Sequence, residues 1–141
     1  MLAGLCILSL AALPSAGQAM ETVNVTLEDA SDSGVDAMKM TAIPDHVKAG
    51  RIVIHATNES KSLTHETLVV GPLSSGAKLP YDDKTGELVE RRIPKRGEIS
   101  DLAPGKSGSL TVNLKPGTYQ LICNEPNHYK SGMWTTLKVT P

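Results

Sequence analysis

The 141-residue chain has no phenylalanine, one tryptophan, three tyrosines and two cysteines. With aromatics at 3%, any core must rest on Val, Leu and Ile. No sign of charge dominates: 14 Lys and Arg stand against 15 Asp and Glu, interspersed along the chain. That balance excludes the basic footprint of a nucleic-acid binder or of a protein drawn to anionic membranes. A spanning helix needs about 20 apolar residues, and the one extended apolar run, Leu2 to Leu13, falls short. There is no nucleophile-elbow pattern and no phosphate-cradling glycine loop, which removes the commonest hydrolase and nucleotide-binding classes.

The first twenty residues carry no charged side chain. Pro14 and Ser15 end the apolar run, and Gly17-Gln18-Ala19 places small residues where a signal peptidase reads. Residues 1–19 are therefore expected to be a secretory signal, with an uncleaved anchor as the alternative, and residues 20–141 to form one exported domain, periplasmic or beyond. Such a mature chain has no membrane span and one cysteine, Cys123. A single thiol cannot close an internal disulfide, and left free in an oxidising compartment it is a liability. Something must bury it, use it or occupy it, and a metal does the last.

Period-two alternation predicts strands over Glu21–Leu27, Met38–Ala42, Arg51–Asn58, Thr64–Val70, Glu98–Leu102, Ser109–Leu114, Thr118–Cys123 and Trp134–Thr140. Val47-Lys48-Ala49-Gly50 reads as a turn, and Gly71–Lys106 is the least regular stretch. A connection that long is unusual without structure of its own, so a short helix or hairpin is expected within it. The mixed-sign run Glu87–Arg96 reads as a solvated loop. About seven or eight short strands between Gly/Pro turns predict an all-β, Greek-key antiparallel β-sandwich.

The chemistry gathers in Cys123-Asn124-Glu125-Pro126-Asn127-His128-Tyr129-Lys130-Ser131-Gly132-Met133. A thiolate, an imidazole and a thioether recur at four-residue intervals between two strands. Pro126, Asn127 and Gly132 let the backbone curl, Asn127 through its tolerance of the left-handed region. Thiolate and thioether are soft ligands suited to Cu(I), and imidazole accepts both copper oxidation states. A further histidine is needed. His46 lies in a polar turn and His55 faces outward by strand parity, whereas His65 opens a strand directly after the loop Glu59–Thr64. Zinc suits Cys and His but rarely recruits Met, and one thiolate with two imidazoles leaves its tetrahedral shell incomplete.

These residues resemble the cupredoxins. Cys123, His128 and Met133 match the Cys-x4-His-x4-Met loop of plastocyanin- and azurin-like proteins, and His65 matches their upstream ligand histidine. The stretch PGTYQLICNEPNHYKSGMWTTLKV is similar to the C-terminal hairpin of small bacterial cupredoxins, with Tyr119 resembling the tyrosine corner of Greek-key sandwiches. Two departures stand out: Asn127 where Gly commonly precedes the ligand histidine, and Glu66 where those proteins have Asn after the first one. The second is expected to alter the hydrogen bonds between the ligand loops.

The resemblance implies one type 1 copper ion held by His65, Cys123, His128 and Met133. It further implies electron transfer with transient redox partners (a cytochrome, oxidase or reductase), a monomer, and no enzymatic activity. His128 would face solvent within an apolar patch of Pro126, Tyr129, Met133 and Trp134. A copper delivery protein has the same ligands and stays open as the alternative. A copper enzyme needs a second centre, for which only His46 and His55 remain.

Overall fold

The computed structural model describes residues 20–29 and 38–141, so the signal segment expected over residues 1–19 lies outside the described residues. Among them eleven strands form two packed sheets and a small hairpin. They are β1 (Glu21–Glu28), β2 (Lys39–Ile43), β3 (His46–Lys48), β4 (Gly50–Asn58), β5 (His65–Leu73), β6 (Tyr81–Asp82), β7 (Glu87–Leu88), β8 (Lys95–Leu102), β9 (Ser107–Leu114), β10 (Gly117–Ile122) and β11 (Trp134–Thr140). One sheet has the order β2-β1-β4-β9 and the other β3-β11-β10-β5-β8.

The expected all-β sandwich is present, with two refinements. Pairing is mixed: β1 runs parallel to β4 and β3 parallel to β11, while the remaining pairs are antiparallel. The strand count exceeds the expected seven or eight because three pieces are too short to carry an alternation. One is β3, where Val47 and Lys48 were expected to turn. Val47 is buried and its strand lies beside Val139 at the sheet edge.

Alternation decides which side chains face inward. Val23, Val25 and Leu27 of β1, Ile52, Ile54 and Ala56 of β4, and Tyr119 and Leu121 of β10 meet in one cluster between the sheets. Fully burying an aliphatic side chain of this size is worth roughly 1.5–3 kcal/mol, so this cluster supplies most of the driving force. Tyr119 keeps its ring in that core while its hydroxyl donates to the Lys115 carbonyl at 3.0 Å, the expected tyrosine corner. The turn before β10 is thereby fastened.

The irregular stretch contains both devices expected of it: the β6–β7 hairpin and a single 3-10 turn over Glu90–Arg92. The run Glu87–Arg96, however, is only partly a solvated loop. Leu88 and Ile93 are buried with Leu68, Val70 and Ile122 in a second cluster, on the opposite face of β5 and β10. Lys95 and Arg96 belong to β8, and Lys95 lies between Glu90 and Glu98 as a paired surface cation. The hairpin therefore roofs the outer face of the sheet at the end where the Cys123–Met133 loop emerges.

Candidate metal centre

Cys123 directly follows β10, and His65 is the first residue of the neighbouring strand β5. Antiparallel pairing of Ile122 with Leu68 sets the two elements side by side. The loop after Cys123 then folds back in tight turns. His128 N–H donates to the Glu125 carbonyl at 3.0 Å, and Ser131 N–H to the Asn127 carbonyl at 3.1 Å. Asn127 adopts φ 68°, the left-handed conformation expected of it. Met133 N–H reaches the His128 carbonyl and Cys123 N–H reaches the Met133 carbonyl, both at 3.0 Å, closing the loop on itself.

The result is a convergence of three donor atoms. His65 Nδ1 and His128 Nδ1 are 3.2 Å apart, and Cys123 Sγ lies 3.8 Å from the first and 3.4 Å from the second. A circle through these atoms has a radius of about 2.0 Å, the length of a metal–imidazole bond and slightly less than that of a metal–thiolate bond. His65 and Cys123 are fully buried, while His128 is partly exposed. Among the described residues this is the one group of three His, Cys, Asp or Glu side chains arranged to hold an ion. Met133, the fourth expected ligand, is fully buried in the same core cluster as Cys123.

Protonation fits a cation. Burial pushes the Cys123 thiol up to about 12, outweighing N–H groups from Glu66 and Glu125, so the proton stays until a metal replaces it. Burial also lowers both imidazoles, and His128 is lowered further by His65. Neutral rings offer lone pairs. His65 Nε2 faces Asp29 Oδ1 at 3.3 Å, and since an ionised carboxylate only accepts, this contact favours the tautomer with the hydrogen on Nε2 and the lone pair on Nδ1. Burial opposes the ionised Asp29, but hydrogen bonds from the Lys61 backbone and from His65 outweigh it and hold the pKa below the usual carboxylate value.

Glu66 ties the two candidate ligand segments together despite its departure from Asn. Its N–H points at Cys123 Sγ at 3.5 Å, and its Oε1 accepts from Asn124 N–H at 3.0 Å. Burial, reinforced by Glu125 and Glu90 and opposed by the Asn124 N–H, raises the Glu66 carboxyl to about 7.

Sequence reasoning missed two residues that shape the centre, Asp29 and Asn124. Asn124 is buried and its amide bonds the backbone of Leu88 on both sides: Oδ1 accepts from Leu88 N–H at 2.6 Å and Nδ2 donates to the Leu88 carbonyl at 3.1 Å. The expected apolar patch needs a correction. Pro126 and Trp134 are exposed and Tyr129 partly so, but Met133 has no exposed surface, because the loop turns its side chain inward. His46 is an exposed residue bonded to Asp45, and His55 bonds Ser109 Oγ at 2.8 Å; neither joins the cluster.

No family model matches the chain. It is similar to auracyanin-B of Chloroflexus aurantiacus, being 54% identical over 41 residues, which cover 28% of this chain and 17% of that protein. The match thus spans well under two thirds of that relative. Among solved structures it resembles the dithionite-reduced auracyanin of Roseiflexus castenholzii, with a TM-score of 0.57 and 22% identity over 89% of this chain and 100% of that one. Reduced rusticyanin superposes with a TM-score of 0.60 and 18% identity, over 84% of this chain and 79% of the other.

Proposed function

Starting from the cupredoxin fold of this chain, we propose that it binds one copper ion at a type 1 site and serves as an exported electron carrier. The observation that carries this reading is the meeting of His65 Nδ1, His128 Nδ1 and Cys123 Sγ within bonding radius of a common point. Thiolate with two imidazoles suits copper, and the thioether of Met133 is the fourth donor that separates copper from zinc. Support for Met133 comes from its burial and from the two backbone bonds that join its residue to Cys123 and His128. When bound, copper supplies a one-electron couple between Cu(I) and Cu(II).

The chain's own residues do the rest. His65 is locked by β5 and Asp29, and Cys123 by its N–H bond to Met133 and by the Glu66 N–H at its sulfur. Donors held this firmly keep one arrangement in both oxidation states, so little rearrangement accompanies each electron. His128, the more exposed imidazole, presents the edge toward solvent beside Pro126 and Trp134. A transient partner touching that edge buries little area. The two structural neighbours are both described in reduced form, in keeping with a redox role for this fold.

Burial of His65 and Cys123 favours retaining the ion over delivering it. Engagement of His46 with Asp45 and of His55 with Ser109 favours a carrier over an enzyme with a second centre. The test is the electronic and EPR spectrum of the mature chain, residues 20–141, reconstituted with Cu(II). An intense visible thiolate-to-copper band is expected, absent in Cys123→Ser. A colourless copper-loaded wild type overturns the reading.

A further inference from the structure

We propose that Asp29 is a positioning residue of this centre: its carboxylate holds His65 as the Nε2–H tautomer and sets a negative charge one imidazole ring away from the ion. The inference rests on the copper reading above and adds to it a residue that neither ligand spacing nor the cupredoxin resemblance supplies.

Asp29 directly follows β1, the central strand that pairs with both β2 and β4, so its backbone is anchored in the opposite sheet from His65. Its two oxygens do different work. Oδ2 accepts from Lys61 N–H at 2.9 Å, fastening the loop that leads into β5. Oδ1 faces Nε2 of His65 at 3.3 Å, the long end for such a bond. That loop is fastened from the other side by buried Asn58, whose amide donates to the Leu63 carbonyl at 2.8 Å and the Leu102 carbonyl at 2.7 Å. Asp29 thus closes a bracket around a fully buried histidine while remaining about one-fifth exposed itself (22%).

The chemical consequence follows from the two tautomers of a neutral imidazole. With the hydrogen on Nδ1, His65 would donate toward Cys123 Sγ or His128 Nδ1 and would have no lone pair at the point where the three donors meet. Only the Nε2–H form offers Nδ1 to a metal, and the acceptor that selects it is Asp29. A hydrogen-bonded carboxylate behind a ligating histidine also raises the basicity of the ring. Its charge, acting across a buried ring from which water is excluded, stabilises the more positive oxidised ion over the reduced one. Asp29 therefore lowers the reduction potential and strengthens metal retention.

Two measurements on wild type, Asp29→Ala, Asp29→Asn and Asp29→Glu test this. In the copper-free, 15N-labelled protein, long-range proton–nitrogen correlations are expected to show His65 as Nε2–H in wild type and Asp29→Glu, and shifted toward Nδ1–H in Asp29→Ala. In the copper form, Asp29→Ala and Asp29→Asn are expected to have a higher potential than wild type, with copper affinity lowered about 10- to 100-fold and the visible band retained. Asp29→Glu is expected to return both values toward wild type. Should Asp29→Ala fail to fold, Asp29→Asn carries the measurement of potential. A wild-type tautomer in Asp29→Ala, or an unchanged potential in both charge-removing variants, overturns the proposal. A wild type that takes up copper without colour overturns the type 1 reading instead, and the tautomer measurement, made without metal, still decides whether Asp29 sets the ring.

Discussion

At Met133 the packing requirement and the proposed chemical requirement fall on one side chain. The residue is fully buried in the core cluster, so its volume is needed whatever it binds. A thioether is a soft donor that favours the reduced ion, whereas an amide oxygen is harder and favours the oxidised one. Met133→Gln, of similar length, is therefore expected to keep the visible thiolate band and lower the reduction potential, as read by spectroelectrochemistry. An unchanged potential would remove Met133 from the ligand set and leave it as core filler. The residues of this centre were unequally legible in the sequence. Cys123, His128 and Met133 share one loop whose turn-formers announce how it curls, and Asn127 takes the left-handed backbone that its side chain tolerates. His65 was identified by its place at the head of a strand. Asp29 reaches His65 across 36 residues, from the far end of a strand in the other sheet, and a lone aspartate after an alternating run has no signature that distinguishes it from a turn residue.

Among the elements, the β6–β7 hairpin positions the loop of proposed ligands although it contributes none of them. Asn124 uses its amide as an extra strand partner for Leu88, and Asn127 N–H donates to the Gly86 carbonyl at 2.7 Å. Gly86 itself is required: φ is +77°, and a Cβ there would lie 2.8 Å from Asn127 Oδ1. Asn124→Ala leaves the Leu88 N–H and carbonyl without partners in a buried setting. It is expected to lower the unfolding free energy by about 1–3 kcal/mol, measured by urea denaturation of the copper-free protein. An unchanged midpoint would mean that the hairpin holds the loop without this amide. Most of the long strands were readable because they show one buried and one solvated face, β5 being buried on both. The hairpin's burial, unlike its turn, was not readable at residue level: Leu88 and Ile93 are single apolar residues among charges, and their burial depends on β5 and β10 being apolar on both faces. That second buried face appears in the sequence as the unbroken runs Leu68-Val69-Val70 and Leu121-Ile122-Cys123, where alternation gives no direction.

For the whole molecule, the main core and the proposed centre share a boundary but not a cause. Apart from Cys123 and Met133, the main cluster is built from strand side chains of the two sheets, and each fully buried aliphatic residue is worth roughly 1.5–3 kcal/mol without any metal. The tyrosine corner and the Asn58 bracket are likewise formed by protein atoms alone. The sandwich is therefore expected to persist when copper is removed, unlike small domains whose fold is the metal site itself. Binding to the folded state alone still adds stability: at free metal about 100-fold above the dissociation constant the gain is about 2.7 kcal/mol. For a domain of this size, that corresponds to a melting temperature higher by about 10 °C. The copper-free protein should accordingly keep a dispersed proton–nitrogen spectrum and the same urea m-value, because the same surface is exposed on unfolding. Its loss of hydrogen-exchange protection should be confined to the loop from Asn124 to Gly132 and the segment leading into His65. Collapse of the spectrum on chelation, or a markedly smaller m-value, would show instead that the ion holds the two sheets together, and the division drawn here between a metal-independent sandwich and a metal-organised end would fail.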